Sequence, residues 1–242
     1  MSVTVHLLPA LMEQPLPAGC VGVVIDVLRA STTIIHALAH GARTVIPTLT
    51  VEEALAQIDK LPERPLLGGE RHSQLIPGFD LDNSPLKYTA DIVSGRTLVF
   101  TTTNGTKALH SCSPADEVLI GAFVNRAAIV NRLSQESRPV HLICAGTDGF
   151  LTAEDILFAG AVASDLLQGQ PAADVQTQMA IDFYKLHART PEEFLQTMYD
   201  SRGGRNLLNL GLKADVDRAA TENLFEIVPV WRPSTGVITV DQ

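Results

Sequence analysis

Asp26 stands in the stretch VVIDVLRAST directly after an apolar, β-branched run, and Arg29 follows three residues later, ahead of Ser31 and Thr32. A buried strand that ends on a carboxylate holds that group rigidly enough to act as a nucleophile or a metal ligand. The same Asp could instead cap the next helix or pair with Arg29, because a carboxylate at a strand end is costly unless it is paired. Arg29 brings a fork-shaped guanidinium beside hydroxyls and helix N–H groups, which together suit phosphate binding. A structural salt bridge would use the same atoms.

A second turn of this kind lies in LVFTTTNGTKAL. Thr102, Thr103, Asn104 and Thr106 offer donors, Gly105 lets backbone approach closely, and Lys107 adds charge. The GxxxxGK[ST] spacing of a nucleotide-binding P-loop is absent, so the stretch is either a well-capped turn or an anion site of another type. GGERHSQLIPGFDLDNSP supplies Glu70, Arg71, Asp80, Asp82 and Asn83, with His72 reading as a bystander. Hard oxygen donors at this density suit Mg2+, which takes one or two carboxylates plus waters and substrate oxygens, although a solvated loop has the same composition. CAGTDGFLTAEDILFAG places Glu154 and Asp155 in the first turn of a helix. Acids are favoured there with or without a metal to bind. Cys144 ends the preceding strand and could be a nucleophile, though buried, inert cysteines are commoner. SRGGRNLLNLGLKADVD offers Arg205 and Asn206 beside a glycine pair as one more turn able to touch an anion.

The elements that would position these residues alternate. Apolar runs at 21–25, 43–47, 97–100, 117–120, 140–144, 226–230 and 236–240 are separated by helical patterns, which predicts a largely parallel or mixed sheet covered on both faces. Thr50 with Glu53 and Thr190 with Glu193 have the spacing of capping boxes, and Thr152 with Asp155 is read as doing the same job. The stretch of about residues 20–60 can be laid over that of about 96–135, each a strand, polar turn, helix and strand, which suggests an internal duplication. Asp26 then faces Thr101, and Arg29 faces Asn104, at the sheet edge where α/β proteins place ligands. Residues 62–90, rich in proline and glycine, read as a long functional loop. VPVWRPSTGVITV reads as a strand pair at a sheet edge.

With 242 residues, 45% hydrophobic and 19% charged, the chain has the composition of an ordinary globular protein, read as a single domain over 1–242. The formal charge of −9 without any Lys/Arg run argues against a nucleic-acid partner. Three cysteines without a CxxC argue against a disulfide framework or structural zinc. The N-terminus lacks a basic leader, and no apolar run reaches membrane-spanning length, so a soluble cytoplasmic protein with no membrane partner is expected. Several apolar faces would serve a homodimer, but none is marked as an interface.

DVLRASTTI, GGER, GFDLDNSP, TTTNGTKAL, CAGTDG with TAEDILFAG, and the late VPV occur in an order that resembles the 2-phosphosulfolactate phosphatase family, from about Val5 to Val240. The resemblance implies a three-layer α/β/α fold. It also implies a Mg2+-dependent hydrolase that converts (R)-2-phospho-3-sulfolactate to 3-sulfolactate and phosphate, a step of coenzyme M biosynthesis in methanogens. Asp82 departs from the glycine more usual in GFDLxNSP and could add a carboxylate to the metal region. A small phosphomonoester that also carries carboxylate and sulfonate needs several cationic contacts, which Arg29, Arg71, Lys107 and Arg205 could supply. On this reading Asp26 is the nucleophile or an essential metal-site carboxylate, and Glu70 with Glu154 or Asp155 are metal candidates. Ser31, Thr32 and the 102–107 turn receive substrate oxygens.

A haloacid-dehalogenase-type phosphatase needs a second Asp two residues after the first, where this chain has Leu28. An isochorismatase-like cysteine hydrolase, with Asp26 orienting Cys144, is an alternative that lacks an evident lysine. A non-catalytic binder of anionic metabolites would use the same turns.

Overall fold

The computed structural model describes residues 2–12 and 15–240. Its strands are β1 (Val3–His6), β2 (Val21–Ile25), β3 (Thr44–Thr48), β4 (Leu66–Arg71) and β5 (Gln74–Leu75). They continue with β6 (Thr97–Thr101), β7 (Glu117–Gly121), β8 (Val140–Cys144), β9 (Pro229–Arg232) and β10 (Val237–Val240). The helices are α1 (Ala30–Ala39), α2 (Val51–Leu55), α3 (Ala90–Val93), α4 (Gly105–Ser111) and α5 (Arg126–Ser134). After them come α6 (Ala153–Leu167), α7 (Val175–His187), α8 (Pro191–Asp200), α9 (Arg202–Asn209) and α10 (Lys213–Ala219).

The strands form one mixed sheet in the order β1-β8-β2-β7-β9-β10-β3-β6-β4-β5. β1, β8, β2 and β7 are mutually parallel, as are β3, β6 and β4. The β9–β10 hairpin joins the two groups through antiparallel pairings with β7 and β3. The groups therefore run in opposite directions. The units β2–α1–β3 and β6–α4–β7 exchange strands, since β2 pairs with β7 and β3 with β6.

VGVVI is buried along its whole length because both faces of its sheet are covered. Val24, Ile120 and Ile143 from the first group share an apolar cluster with Val45, Leu98 and Phe100 from the second, and Ile34, Ile35, Ala108 and Leu109 of α1 and α4 fill it. On the opposite face of the first group, Val23, Leu119 and Leu142 pack against Leu157 and Phe158 of α6 and Ile181 of α7. On that of the second, Leu67 and Val99 pack against Ala54 of α2, Ile76 and Phe79. The expected α/β/α layering is present, with the sheet coiled around α1 and α4. The segments that follow the carboxyl ends of β2 and β6, which belong to oppositely directed groups, nevertheless meet, since Gly105 packs against Asp26 and Ala30.

Three expectations change. The 62–90 segment holds β4, a strand buried up to Glu70 and paired with β6. Its Gly68-Gly69 pair lowers strand propensity, but here glycine answers packing: Gly69 has φ +134° and its missing side chain would collide with the Thr101 backbone. The C-terminal strand pair lies in the middle of the sheet, where it supplies the antiparallel bridge between two parallel groups. Thr50 and Thr190 accept hydrogen bonds from Glu53 and Glu193 N–H as capping residues. Thr152 instead donates its hydroxyl to the Glu154 carboxylate.

Candidate active site

A cleft of about 310 Å3 opens where the segments after β2, β6, β4 and β8 meet α9. Asp26, Arg29, Glu70, Thr103, Asn104 and Asp148 are on its walls.

Asp26 follows β2 directly and is 7% exposed. Its Oδ1 accepts from Ala30 N–H at 3.2 Å, while Oδ2 accepts no hydrogen bond among the described residues. The Ser31 hydroxyl accepts from Asp26 N–H at 3.0 Å and lies 3.3 Å from the Val24 carbonyl, to which it donates. Thr32 donates to the Val27 carbonyl at 2.8 Å. Both hydroxyls therefore stiffen the turn from inside and are absent from the cleft wall. Burial pushes the Asp26 carboxyl up to about 7 against the Ala30 hydrogen bond; the negative charges of Glu70 and Glu154 add to the rise, and Arg29 opposes it.

Arg29 is buried, but its ion-pair partner is Asp215 of α10, at 2.6 Å, and not Asp26. Its other terminal nitrogen donates to the Ser73 carbonyl at 3.0 Å. Ser84 donates to the second Asp215 oxygen at 2.6 Å. The guanidinium that faces the cleft is thus locked from behind.

Glu70 ends up between two loops: Thr103 N–H donates to Oε1 at 2.7 Å and Ser73 N–H to Oε2 at 2.8 Å. This bond ties the opening of the TNGT turn to the segment after β4. Gly105 completes the junction. A Cβ there would sit 2.7 Å from both Asp26 Oδ2 and the Ala30 side chain, so the two polar turns can touch only because residue 105 has none. Within the turn, Thr102 and Thr106 bond to each other's backbone, and Asn104 Oδ1 accepts from Asp148 N–H at 3.2 Å.

Glu154 and Asp155 lie behind the wall. Asp155 accepts from Val27 N–H at 2.9 Å and Gly146 N–H at 3.0 Å, which clasps the exits of β2 and β8 together. Glu154 is held by Thr152, Ser201 and Gly203. Burial raises both carboxyls, Asp155 well above the usual range, with Glu154 and Asp26 contributing to its rise. Of the predicted metal candidates, Asp26 and Glu70 are the two that line the cleft. No group of three or more His, Cys, Asp or Glu side chains among the described residues makes a closed metal cage. The pair fits the mode in which Mg2+ takes one or two carboxylates and completes its shell with water and substrate oxygens. Buried like charges at Asp26, Glu70 and Glu154 are also the setting a divalent cation would relieve.

The remaining predicted cations are elsewhere. Arg71 folds back on the Glu70 and Leu49 carbonyls and the Thr101 hydroxyl, while Lys107 and Arg205 are exposed and outside the wall. His72, in contrast, lines it. Sequence reasoning missed Asp215, Asp148, Ser73 and Asn209. Nothing local marks Asp215, which is 186 residues from Arg29. Asn83, one of the GFDLDNSP oxygen donors, lines the cleft with a buried Oδ1 that has no partner. Cys144 is fully buried in the α6 cluster and absent from the cleft, and burial pushes its thiol well above the ordinary value. That is the environment of an inert cysteine.

Residues 6–234 match the 2-phosphosulpholactate phosphatase family. The chain is 43% identical over 223 residues to a probable 2-phosphosulfolactate phosphatase of Symbiobacterium thermophilum, covering 91% of this chain and 95% of that protein. A protein of the same name from Thermotoga petrophila is 41% identical over 219 residues, 88% of this chain and 90% of its own. One from Clostridium acetobutylicum is 33% identical over 209 residues, 86% and 88% of the two chains.

Proposed function

The chain belongs to the 2-phosphosulpholactate phosphatase family, and from that premise we propose that it hydrolyses (R)-2-phospho-3-sulfolactate to 3-sulfolactate and phosphate, with Mg2+ held by Asp26 and Glu70. The observation that carries this reading is Asp26: a buried carboxyl at a strand end, raised to about 7, that lines a polar cleft. Mg2+ bound there would neutralise phosphoryl oxygens and position the attacking group. The chain's own groups do the rest. Asp26, once ionised, acts as nucleophile or as the essential carboxylate of the metal site. Arg29, held by Asp215 and the Ser73 carbonyl, presents a fixed charge to the equatorial oxygens without reorganising during reaction. Glu70 keeps the loops bearing Thr103 and Ser73 in register with both. The proposal extends to a step of the coenzyme M type, in a cytoplasmic, single-domain protein that forms a homodimer.

Phosphate release from wild type, Asp26→Asn and Cys144→Ala tests the assignment. The Asp26 variant should lose more than about a thousandfold in turnover, while the folded Cys144 variant keeps its activity. Loss of turnover in folded Cys144→Ala, with Asp26→Asn active, would overturn it.

A further inference from the structure

A substrate with phosphate, carboxylate and sulfonate meets an apparent mismatch in this cleft. Its walls carry the acids Asp26, Glu70 and Asp148, while Arg29 is already matched by Asp215. One further guanidinium, that of Arg202, contacts the wall residue Asp148. Arg202 begins α9, whose Gly203, Asn206 and Asn209 line the cleft. Positions 202, 206 and 209 follow the i, i+4, i+7 spacing of a single helical face, so Arg202 continues the stripe that the two asparagines begin. Neither α9 arginine is on the wall itself, but Arg202 reaches Asp148, which is, whereas Arg205, the arginine favoured from sequence, is exposed.

Arg202 is also poorly committed. Its contact with Asp148 is long, 3.5 Å, and both side chains are about half exposed, 42% and 52%. An ion pair of that kind is worth little and exchanges readily for another anion. Its Nε is buried with no partner. The guanidinium lies over the Phe150 ring, 4.5 Å from its centroid, so its plane is oriented although its hydrogen-bonding capacity is largely unspent. Phe150 itself is 59% exposed. Asp148, meanwhile, is anchored through its own N–H to Asn104, so the turn carrying it stays in place when its carboxylate gives up Arg202.

We propose that Arg202, with Asn206 and Asn209, is the specificity site for the substrate's sulfonate, which displaces Asp148 from the guanidinium. The inference rests on the phosphatase reading above and deepens it. A sulfonate offers three oxygens and one diffuse charge, and a guanidinium fork flanked by two amide side chains matches it with several donors. Asp148 shields the arginine when the site is empty and screens out weakly charged groups, since only a strong anion offsets the exchange.

The test pairs catalysis with direct binding. The ratio of kcat/KM for 2-phosphosulfolactate over 2-phospholactate, which lacks the sulfonate, is measured for wild type, Arg202→Met and Asp148→Asn. Calorimetric binding of 3-sulfolactate is measured on the same proteins. Arg202→Met should lower the ratio and weaken 3-sulfolactate by about 10- to 100-fold, the loss of charge-assisted hydrogen bonds. Asp148→Asn, by releasing Arg202, should tighten 3-sulfolactate. Wild type that binds 3-sulfolactate through Arg202 but releases no phosphate would support the anion site and remove the phosphatase reading. An active wild type whose ratio and 3-sulfolactate affinity are unchanged within about twofold in Arg202→Met would overturn the inference and spare that reading. Absence of 3-sulfolactate binding to wild type would overturn it as well.

Discussion

Replacing Asp26 by Asn should make the protein more stable at alkaline pH while removing its activity. The Asp26 carboxyl has an ordinary value of 3.8 and is pushed to about 7 in the fold, chiefly by burial. The folded state therefore binds more protons than the unfolded chain between those values. Stability falls as pH rises through that window and stays low above it, and no difference remains below it. About three pH units at roughly 1.4 kcal/mol each set a ceiling of about 4 kcal/mol on the cost of the ionised group at pH 8. Asn carries no such cost, and its carbonyl can still accept from Ala30. For a chain of this size about 2–4 °C accompany each kcal/mol, so Tm of the variant should exceed that of wild type by roughly 10 °C at pH 8. The gap should close as pH approaches 4. Thermal unfolding at half-unit pH steps in chelator measures it. A repeat with excess Mg2+ should narrow the gap by stabilising wild type alone, through linkage to a ligand that binds the folded state. A variant no more stable than wild type at pH 8, or a gap that is flat with pH, would refute the argument that burial loads Asp26 with this cost.

Two further substitutions probe the frame around that carboxylate. Gly105→Ala places a methyl 2.7 Å from Asp26 Oδ2 and the Ala30 side chain; urea unfolding should show about 1–3 kcal/mol of destabilisation from overpacking, with turnover reduced in the folded fraction. Asp215→Asn leaves Arg29 buried against a neutral amide and should cost about 3–5 kcal/mol by the same assay. Double replacement by Arg29→Met and Asp215→Leu should recover much of that stability but not the activity.

Much of the architecture was legible because its signals are local. Strands such as VGVVI and VHLIC are short, β-branched and buried on both faces, and Thr50 and Thr190 carry cap spacings that the fold uses. The two polar turns were also legible as partners, since both sit where strands give way to helices. What they do in contact was not. Gly105 suggested backbone approach to an anion, whereas the structure spends its missing side chain on approach to Asp26. Thr102, Thr106, Ser31 and Thr32 read as ligand donors, yet the Thr106, Ser31 and Thr32 hydroxyls donate within their own turns and Thr102 Oγ1 accepts from Thr106 N–H. Sequence cannot separate a hydroxyl that faces a ligand from one that faces backbone. β4 was hidden because Gly68 and Gly69 answer close packing against β6 and Tyr88, and they read locally as loop. The Arg29–Asp215 pair was invisible for a different reason: long-range partners of a buried charge leave no periodic trace. Of the two arginines on α9, Arg202 contacts Asp148 while Arg205 stands exposed, a difference that a glycine-rich stretch conceals.

The central claim is that the Asp26 cleft cleaves a phosphate ester with a divalent cation. The most direct test is phosphate release from 2-phosphosulfolactate and a small panel of other phosphomonoesters, with Mg2+ and with chelator. Release from 2-phosphosulfolactate that requires Mg2+ and exceeds release from the rest of the panel is the predicted result. Release unaffected by chelator would contradict the metal role of Asp26 and Glu70, and silence across the panel would contradict the phosphatase assignment itself.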